Sequence, residues 1–215
     1  MLVLAFDTSG DVCTIAVAQD GTVLSEYRFC HKMSLLRRLL PNIERTLSDA
    51  AYRISDVEAF VVGLGPGSFT GLRIGVTIAK SLAYSLEKPI YGVGSLDALA
   101  WSIAPAGTEL ICPLTHARAD EAYWTLTDSS AAVRLAEYRA APIREVLDDL
   151  AARNAAVYFC GSAALRHQEA IRNRLGALAV IGHPGTAHPS AWGLVALGMH
   201  RIQTGEPDNP LMLTP

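Results

Sequence analysis

A glycine-rich stretch, Gly65–Gly75, has the composition and position of a loop that could bind phosphate. Its sequence, GPGSFTGLRIG, follows an apolar run at 59–64 that is typical of a buried strand and precedes an apolar segment with helical periodicity. Its first glycines give the turn backbone freedom, and Ser68 or Thr70 can cap the helix. A glycine turn that opens a helix can bind phosphate through N–H groups and the helix dipole. No lysine follows the glycines, so a tight turn that lets two backbone segments approach is the alternative.

Asp7 could take part in phosphate or metal chemistry, because it ends the first apolar strand and is followed by Thr8. A Mg²⁺ ion with its waters is usually held by carboxylates, here expected from each half of the chain. The matching strand end in the second half carries His116, and an imidazole is a poor ligand for Mg²⁺. ATP hydrolysis by the chain alone is therefore disfavoured. The alternative for Asp7 is a turn residue whose carboxylate accepts hydrogen bonds from local N–H groups.

Other arrangements of reactive residues are weak. The chain has no HxxxH and no CxxC pair, and His183 and His188 are five apart in a Gly/Pro loop, so no metal site is predicted. Ser68 does not lie in a G-x-S-x-G motif, which argues against a serine nucleophile. Three of the four cysteines lie in apolar runs and are predicted to be buried thiols, namely Cys13, Cys112 and Cys160.

The elements that must position these residues occur in an order that repeats. Three strands, a helix, a strand, a helix, a strand and a helix are predicted before a Pro/Gly loop at 105–107, and the same order follows it. We therefore predict an α/β protein of two lobes, 1–104 and 105–215, each with a mixed sheet covered by helices. A first strand that ends in Asp-Thr-Ser-Gly and enters a hairpin is typical of actin-like and ribonuclease H-like folds.

Length, hydrophobic content and net charge limit the classes of protein to which this chain can belong. The chain has 215 residues, half of them hydrophobic, and no apolar run approaches the ~20 residues that cross a membrane. The N-terminus enters a strand without a basic leader, so a cytoplasmic protein without membrane attachment is expected. Its net charge of −3 argues against a free-standing nucleic-acid binder. Only 18% of residues are charged, which favours some apolar surface covered by a partner.

Two predicted helices, 34–51 and 70–86, are the strongest candidates for that surface. The first has a leucine-rich stripe, and the second has a ridge of small residues four apart that lets another helix come close. We expect the two to pack side by side and to present a shared face, formed by Leu36, Leu40, Ile43, Leu47, Gly71, Arg73, Gly75, Ala79 and Ala83. Without a partner this face should favour a homodimer. The alternative is that the small ridge packs inside its own lobe.

These residues resemble a known family. Asp7-Thr8, the whole 65–75 stretch and Ala117-Arg118 with Glu121 and Tyr123 are similar to the TsaB (YeaZ) family, and the resemblance spans the chain. It implies an actin-like, non-catalytic accessory subunit for attachment of threonylcarbamoyl to N6 of adenosine 37 in tRNAs that read codons starting with A. It also implies a TsaD-type catalytic partner, a TsaE-type ATPase in the complex, tRNA contacted indirectly, and no cofactor.

The resemblance also suggests a vestigial nucleotide site, formed by Asp7, Thr8, Gly65, Gly67, Ser68 and Arg118. Four places depart from the family pattern: His116, the Lys32-Met33 pair, Ala122, and the terminal stretch 210–214, where Met212 and Thr214 differ while Pro210 and Leu213 match. Two other functions remain as alternatives. A glycoprotease-type metallopeptidase would need the missing HxxxH, and an actin-like ATPase or kinase would need a second carboxylate at His116.

Overall fold

The fold comes from a computed structural model, which describes residues 1–31 and 33–215; Lys32, at one of the departures from the family pattern, lies outside the described residues. The chain divides into two compact units. The first contains Met1–Ala98 and Ser190–Pro215, and the second contains Leu99–Pro189. The final segment therefore belongs to the first unit, whereas the sequence assigned it to the C-terminal lobe.

Both units contain a five-stranded sheet with the same topology. The strands of the first unit are β1 (Leu2–Asp7), β2 (Val12–Gln19), β3 (Thr22–Cys30), β4 (Ala59–Gly63) and β5 (Ile90–Val93). Those of the second are β6 (Leu110–His116), β7 (Glu121–Asp128), β8 (Arg134–Pro142), β9 (Val157–Cys160) and β10 (Ala179–Ile181). The spatial orders are β3-β2-β1-β4-β5 and β8-β7-β6-β9-β10. The first three strands of each unit are antiparallel and the last two run parallel to the first, so both sheets are mixed as predicted.

Seven α-helices complete the described fold. They are α1 (Leu35–Asp49), α2 (Phe69–Ser85), α3 (Ser95–Trp101), α4 (Ile143–Arg153), α5 (Ser162–Arg166), α6 (Gln168–Leu175) and α7 (Ala191–Thr204). α1 continues through Pro41. The second helix predicted for the second half of the chain is interrupted at His167, so it forms α5 and α6. Among the described residues, no helix has the length and apolar character needed to cross a membrane.

The first sheet is covered on both faces. Leu4, Phe6 and Ile15 point to one face and form a core with α1 and α2. The opposite face, which includes Val3 and Val61, is covered by α7.

The helix α7 joins the first unit because its own apolar side fits that face. Ser190 caps the helix by accepting a hydrogen bond from the Gly193 N–H at 2.9 Å. Leu194 and Val195 are buried, and a Cβ on Gly198 would lie 2.7 Å from Val61 Cγ2. A close helix–sheet contact thus decided a placement that the element order alone could not give.

The second sheet has the same two-sided arrangement. Ala122, Trp124 and Leu126 of β7 alternate along the strand and pack with α4, α5 and α6. The other face, which includes Ile111, packs against the C-terminal half of α3. The three cysteines predicted to be buried are buried, and burial raises the pKa of the Cys112 thiol well above its ordinary value.

A C-terminal segment packs against the first unit after α7. Asp208 accepts a hydrogen bond from the Gly92 N–H at 2.7 Å and pairs with Arg201 at 3.2 Å. Lys80 of α2 donates to the Leu213 carbonyl at 2.9 Å, and the Leu213 side chain enters the first core. This C-terminal segment therefore connects the edge strand β5 to α2.

Candidate functional site

The Asp7 carboxylate is buried, with 1% of the residue exposed, and the protein itself satisfies both of its oxygens. Oδ1 accepts hydrogen bonds from the Ser9 N–H at 2.9 Å and from the Ser9 hydroxyl at 2.6 Å. Oδ2 accepts one from the Ser95 hydroxyl at 2.5 Å, and that hydroxyl accepts one from the Gly65 N–H at 3.0 Å. Ser95 thus joins the end of β1 to the glycine turn. Asp7 is therefore a structural junction between three chain segments.

The glycine turn packs directly on the residues that follow β1. The Ser68 N–H donates to the Ser9 carbonyl at 2.7 Å, and the Thr8 hydroxyl donates to the Gly71 carbonyl at 2.8 Å. A Cβ on Gly67 would lie 2.3 Å from the Ser9 carbonyl oxygen, and one on Gly71 would lie 2.3 Å from that of Thr8. Glycine is required here because two backbone segments touch. These contacts match the tight turn that was the alternative to a phosphate-binding loop.

The residues of this turn do not fit a Mg²⁺–nucleotide. The carboxylate that would bind Mg²⁺ or its waters already accepts three hydrogen bonds from the protein. Among the residues the structure describes, no three His, Cys, Asp or Glu side chains form a group that could hold a metal ion. Of the residues predicted for a nucleotide site, the structure brings together those from the first unit, which are Asp7, Thr8, Gly65, Gly67 and Ser68. Arg118 belongs to the second unit, in the turn after β6.

The matching strand end in the second unit has different chemistry. His116 is exposed at the end of β6, and both of its ring nitrogens lie 3.4 Å from Arg166 Nη1. Its backbone N–H lies 3.4 Å from the Ser162 hydroxyl. Burial and the Arg166 guanidinium hold the pKa of the neighbouring His167 below its ordinary value. The Arg166 guanidinium beside the His116 imidazole does not attract Mg²⁺. The end of β6 therefore does not supply the second carboxylate that a Mg²⁺ site would need.

The small-residue ridge of α2 is not on a free face. Gly71, Gly75, Ala79 and Ala83 are all buried, and a Cβ on Gly75 would lie 2.2 Å from the Thr8 hydroxyl oxygen. Ala79 and Ala83 belong to the core of the first unit. The predicted interface is corrected at these positions: the ridge packs inside its own unit because it lets α2 approach the end of β1.

The predicted stripe of α1 divides in the same way. Ile43 and Leu47 are buried in the core, whereas Leu36 is 67% exposed and Leu40 is also exposed. Arg73 of α2 is exposed as expected. The leucine-rich stripe of α1 is wider than the face of the helix that is buried. Part of the stripe therefore fills the core, and part remains on the surface.

An apolar groove lies on the exposed side of α1 and α2. It has a volume of about 330 Å³ and is lined by Leu36, Phe69, Thr70, Arg73, Ile74, Thr77 and Ile78. Phe69 is 70% exposed, and the Arg73 guanidinium lies 5.3 Å from the centre of its ring. We did not assign Phe69, Ile74 or Ile78 to the face from the sequence. Ile74 and Ile78 are four residues apart, outside the small ridge, and this spacing is the signal that could have found them; Phe69 has no such signal.

The comparisons with known proteins match this chain to proteins named for threonylcarbamoyl modification of tRNA. A sequence profile described as "TsaD: tRNA N6-adenosine threonylcarbamoyltransferase" matches residues 32–177. The chain is 32% identical over 212 residues to the Bacillus subtilis tRNA threonylcarbamoyladenosine biosynthesis protein TsaB, covering 94% of this chain and 88% of that protein. It is 36% identical to the Escherichia coli protein of the same name over 58% of this chain and 54% of that one.

Solved structures support the same assignment. A Pseudomonas aeruginosa structure titled YeaZ matches with a TM-score of 0.81 and 25% identity, over 100% of this chain and 98% of that chain. A hexokinase from Thermus thermophilus, 14% identical with a TM-score of 0.55, covers 93% of this chain and 99% of its own, and shares the fold alone. The predicted α/β, actin-like fold is thus confirmed, and the chain belongs to the TsaB (YeaZ) family.

Proposed function

We propose that this chain is a non-catalytic accessory subunit of the complex that attaches threonylcarbamoyl to N6 of adenosine 37 in tRNAs reading codons that start with A. The observation that carries this proposal is the apolar groove on α1 and α2, in a chain whose relatives are named for threonylcarbamoyladenosine biosynthesis. The occupied Asp7 carboxylate supports a role without catalysis.

The groove has the character of a protein-binding surface. Large apolar side chains such as Leu36 and Phe69 stay exposed on neighbouring helices, where a monomer usually places polar residues. Arg73 adds a cation to the lining of the apolar groove, beside the Phe69 ring, and arginine with aromatic residues is enriched in interfaces. The partner we propose is the TsaD-type catalytic subunit, with a TsaE-type ATPase joining the complex.

The same groove would serve a homodimer when the partner is absent. The groove cannot bind the TsaD-type subunit and a second copy of this chain at the same time. The TsaD-type subunit should therefore compete with the second copy for the groove. The net charge of −3 supports indirect contact with tRNA through the complex.

The test replaces Leu36 and Phe69 by Asp and measures co-purification with the TsaD-type subunit. Two buried carboxylates would make docking unfavourable, so the double variant should lose the partner and elute as a monomer. Because both residues are exposed, its melting temperature should remain close to that of the unchanged protein.

The matched control is Trp192→Asp. Trp192 is 55% exposed on α7, which packs on the opposite face of the first sheet. This variant should bind the partner normally. Retention of the TsaD-type subunit by the Leu36/Phe69 double variant would overturn the proposed docking surface.

A further inference from the structure

A polar groove lies in the second unit, between the edge strand β8 and the C-terminal half of α4. Its volume is about 390 Å³, and its charged or polar lining residues are Trp124, Arg134, Glu137, Arg139, Asp149 and Arg153. Three of these are arginines and two are carboxylates, so the lining carries an excess of one positive charge. The family resemblance assigned no role to these residues.

The two carboxylates are already paired with two of the arginines. Arg134 Nη1 lies 3.7 Å from Glu137, and Arg153 Nη2 lies 3.3 Å from Asp149. Arg139 makes no ion pair within residues 1–31 and 33–215, and its side chain is exposed. The unpaired positive charge of the groove therefore belongs to Arg139.

The register of the sheet places Arg139 beside Trp124. The two are directly opposite on β8 and β7, and side chains opposite each other on antiparallel strands share a face. The pairing then changes register, since Leu126 is opposite Ala136. Arg139 lies two residues from Ala141, which packs against the same core as α4, so the alternation of the strand places Arg139 on the side of the sheet that faces α4.

Trp124 supplies a second donor without a partner. The residue is 3% exposed, yet its Nε1 has no hydrogen-bond partner in the part of the chain that the structure describes. A buried N–H without an acceptor is unfavourable, so native structures usually provide one. An acceptor seated on the Trp124 side of the groove would provide it.

We propose that this groove binds an oxyanion of the phosphate class, held by the Arg139 guanidinium and the Trp124 indole N–H. The groups that lack partners are donors only, which selects a ligand with acceptor oxygens and negative charge. Phosphate presents several such oxygens and can therefore bond to both groups at once. Arg134 and Arg153, each shared with a carboxylate, add positive charge around it.

The test follows the indole N–H signals of the full chain by ¹H–¹⁵N NMR during titration with inorganic phosphate. The chain has three tryptophans, and the signal missing in Trp124→Phe identifies Trp124. We expect this signal to shift saturably, with an affinity on the order of millimolar, while those of Trp101 and Trp192 stay in place.

The Arg139→Ala variant should bind phosphate about tenfold more weakly, as expected for loss of a charge-assisted hydrogen bond. The matched control is Arg172→Ala, an exposed arginine of α6 outside the groove, which should bind like the unchanged chain. Equal affinities in the Arg139 and Arg172 variants would overturn the proposal.

A second titration uses an unmodified tRNA transcript in place of inorganic phosphate. A Trp124 shift that depends on Arg139 and appears with tRNA at lower concentration assigns the phosphate to a nucleic-acid backbone. The same shift with inorganic phosphate alone assigns a free anion. Either supports the oxyanion site, and a Trp124 signal that moves in neither titration overturns it. The experiment uses this chain alone, so its result does not depend on docking to a catalytic subunit.

Discussion

The two units share one strand order but differ where their first strands end. β1 ends in Asp7, which is buried and bonded to Ser9 and Ser95. β6 ends in His116, which is exposed beside Arg166. The helix after the fourth strand differs as well, since α2 has 17 residues and α5 has five. The comparison teaches that a common topology requires a common apolar pattern, while the polar groups at the strand ends are free to diverge.

One requirement is nevertheless shared by both units. Beyond the fourth strand, each unit has a glycine that touches backbone at or near the end of the first strand; Gly71 lies in the first turn of α2, and Gly161 directly follows β9. A Cβ on Gly71 would lie 2.3 Å from the Thr8 carbonyl oxygen, and one on Gly161 would lie 2.1 Å from that of Leu114. In both units the close approach is thus a contact between backbone segments of the protein itself.

The largest expected loss of stability comes from adding a side chain to either of these two glycines. Gly161→Ala should destabilise the protein most, because its φ of +100° adds backbone strain to the clash. Gly71→Ala should cost about 1–3 kcal/mol, as overpacking against backbone does. Urea denaturation monitored by circular dichroism measures both losses.

Thr77→Ala is the control for these substitutions, because Thr77 is exposed on the same helix as Gly71. It should change the free energy of unfolding by less than about 0.5 kcal/mol. A Gly71→Ala protein as stable as the control would show that the two backbone segments do not need to touch.

A smaller change in stability should distinguish the end of β1 from the end of β6. Asp7→Asn removes an acceptor for the Ser95 hydroxyl in a buried place and should cost about 1–3 kcal/mol. His116→Asp changes an exposed residue and should leave stability nearly unchanged. Thermal melts of the two variants, compared with the unchanged protein, measure the difference.

The Asp7→Asn and His116→Asp variants also test whether the chain hydrolyses ATP. We expect no appreciable ATP turnover by the unchanged chain or by His116→Asp, because the Asp7 oxygens are occupied. Robust turnover by the pure protein that disappears in Asp7→Asn would contradict a structural role for this carboxylate. A phosphate-release assay on purified proteins decides the point.

The smallest effect concerns pH in the second unit. Because the pKa of His167 is lowered in the folded state, the unfolded chain binds more protons between that value and the ordinary value of about 6.5. Stability should therefore fall as the pH falls through this window. His167→Gln should show a weaker pH dependence in urea denaturation from neutral to mildly acidic pH. An unchanged pH dependence would show that His167 does not contribute.

Much of the fold could be predicted because it depends on local pattern. The alternation of apolar residues in β2, the apolar runs of β1 and β4 and the glycine punctuation around Gly65–Gly75 each define an element. The break at His167 was missed because no proline or glycine marks it; the sequence around it keeps a helical pattern.

The sequence by itself determined which residues are apolar, the order of the elements and, through the Gly65–Gly75 stretch, the family. Only the tertiary structure decided which side of each apolar helix is covered. Gly75 and Ala79 face Thr8 and the core, while Phe69 and Leu36 remain outside, although the sequence favoured the opposite use of the small ridge. It also placed α7 on the first sheet and Arg139 beside Trp124. The physical reason is that burial depends on contacts between residues far apart in the chain, which periodicity within one segment does not specify.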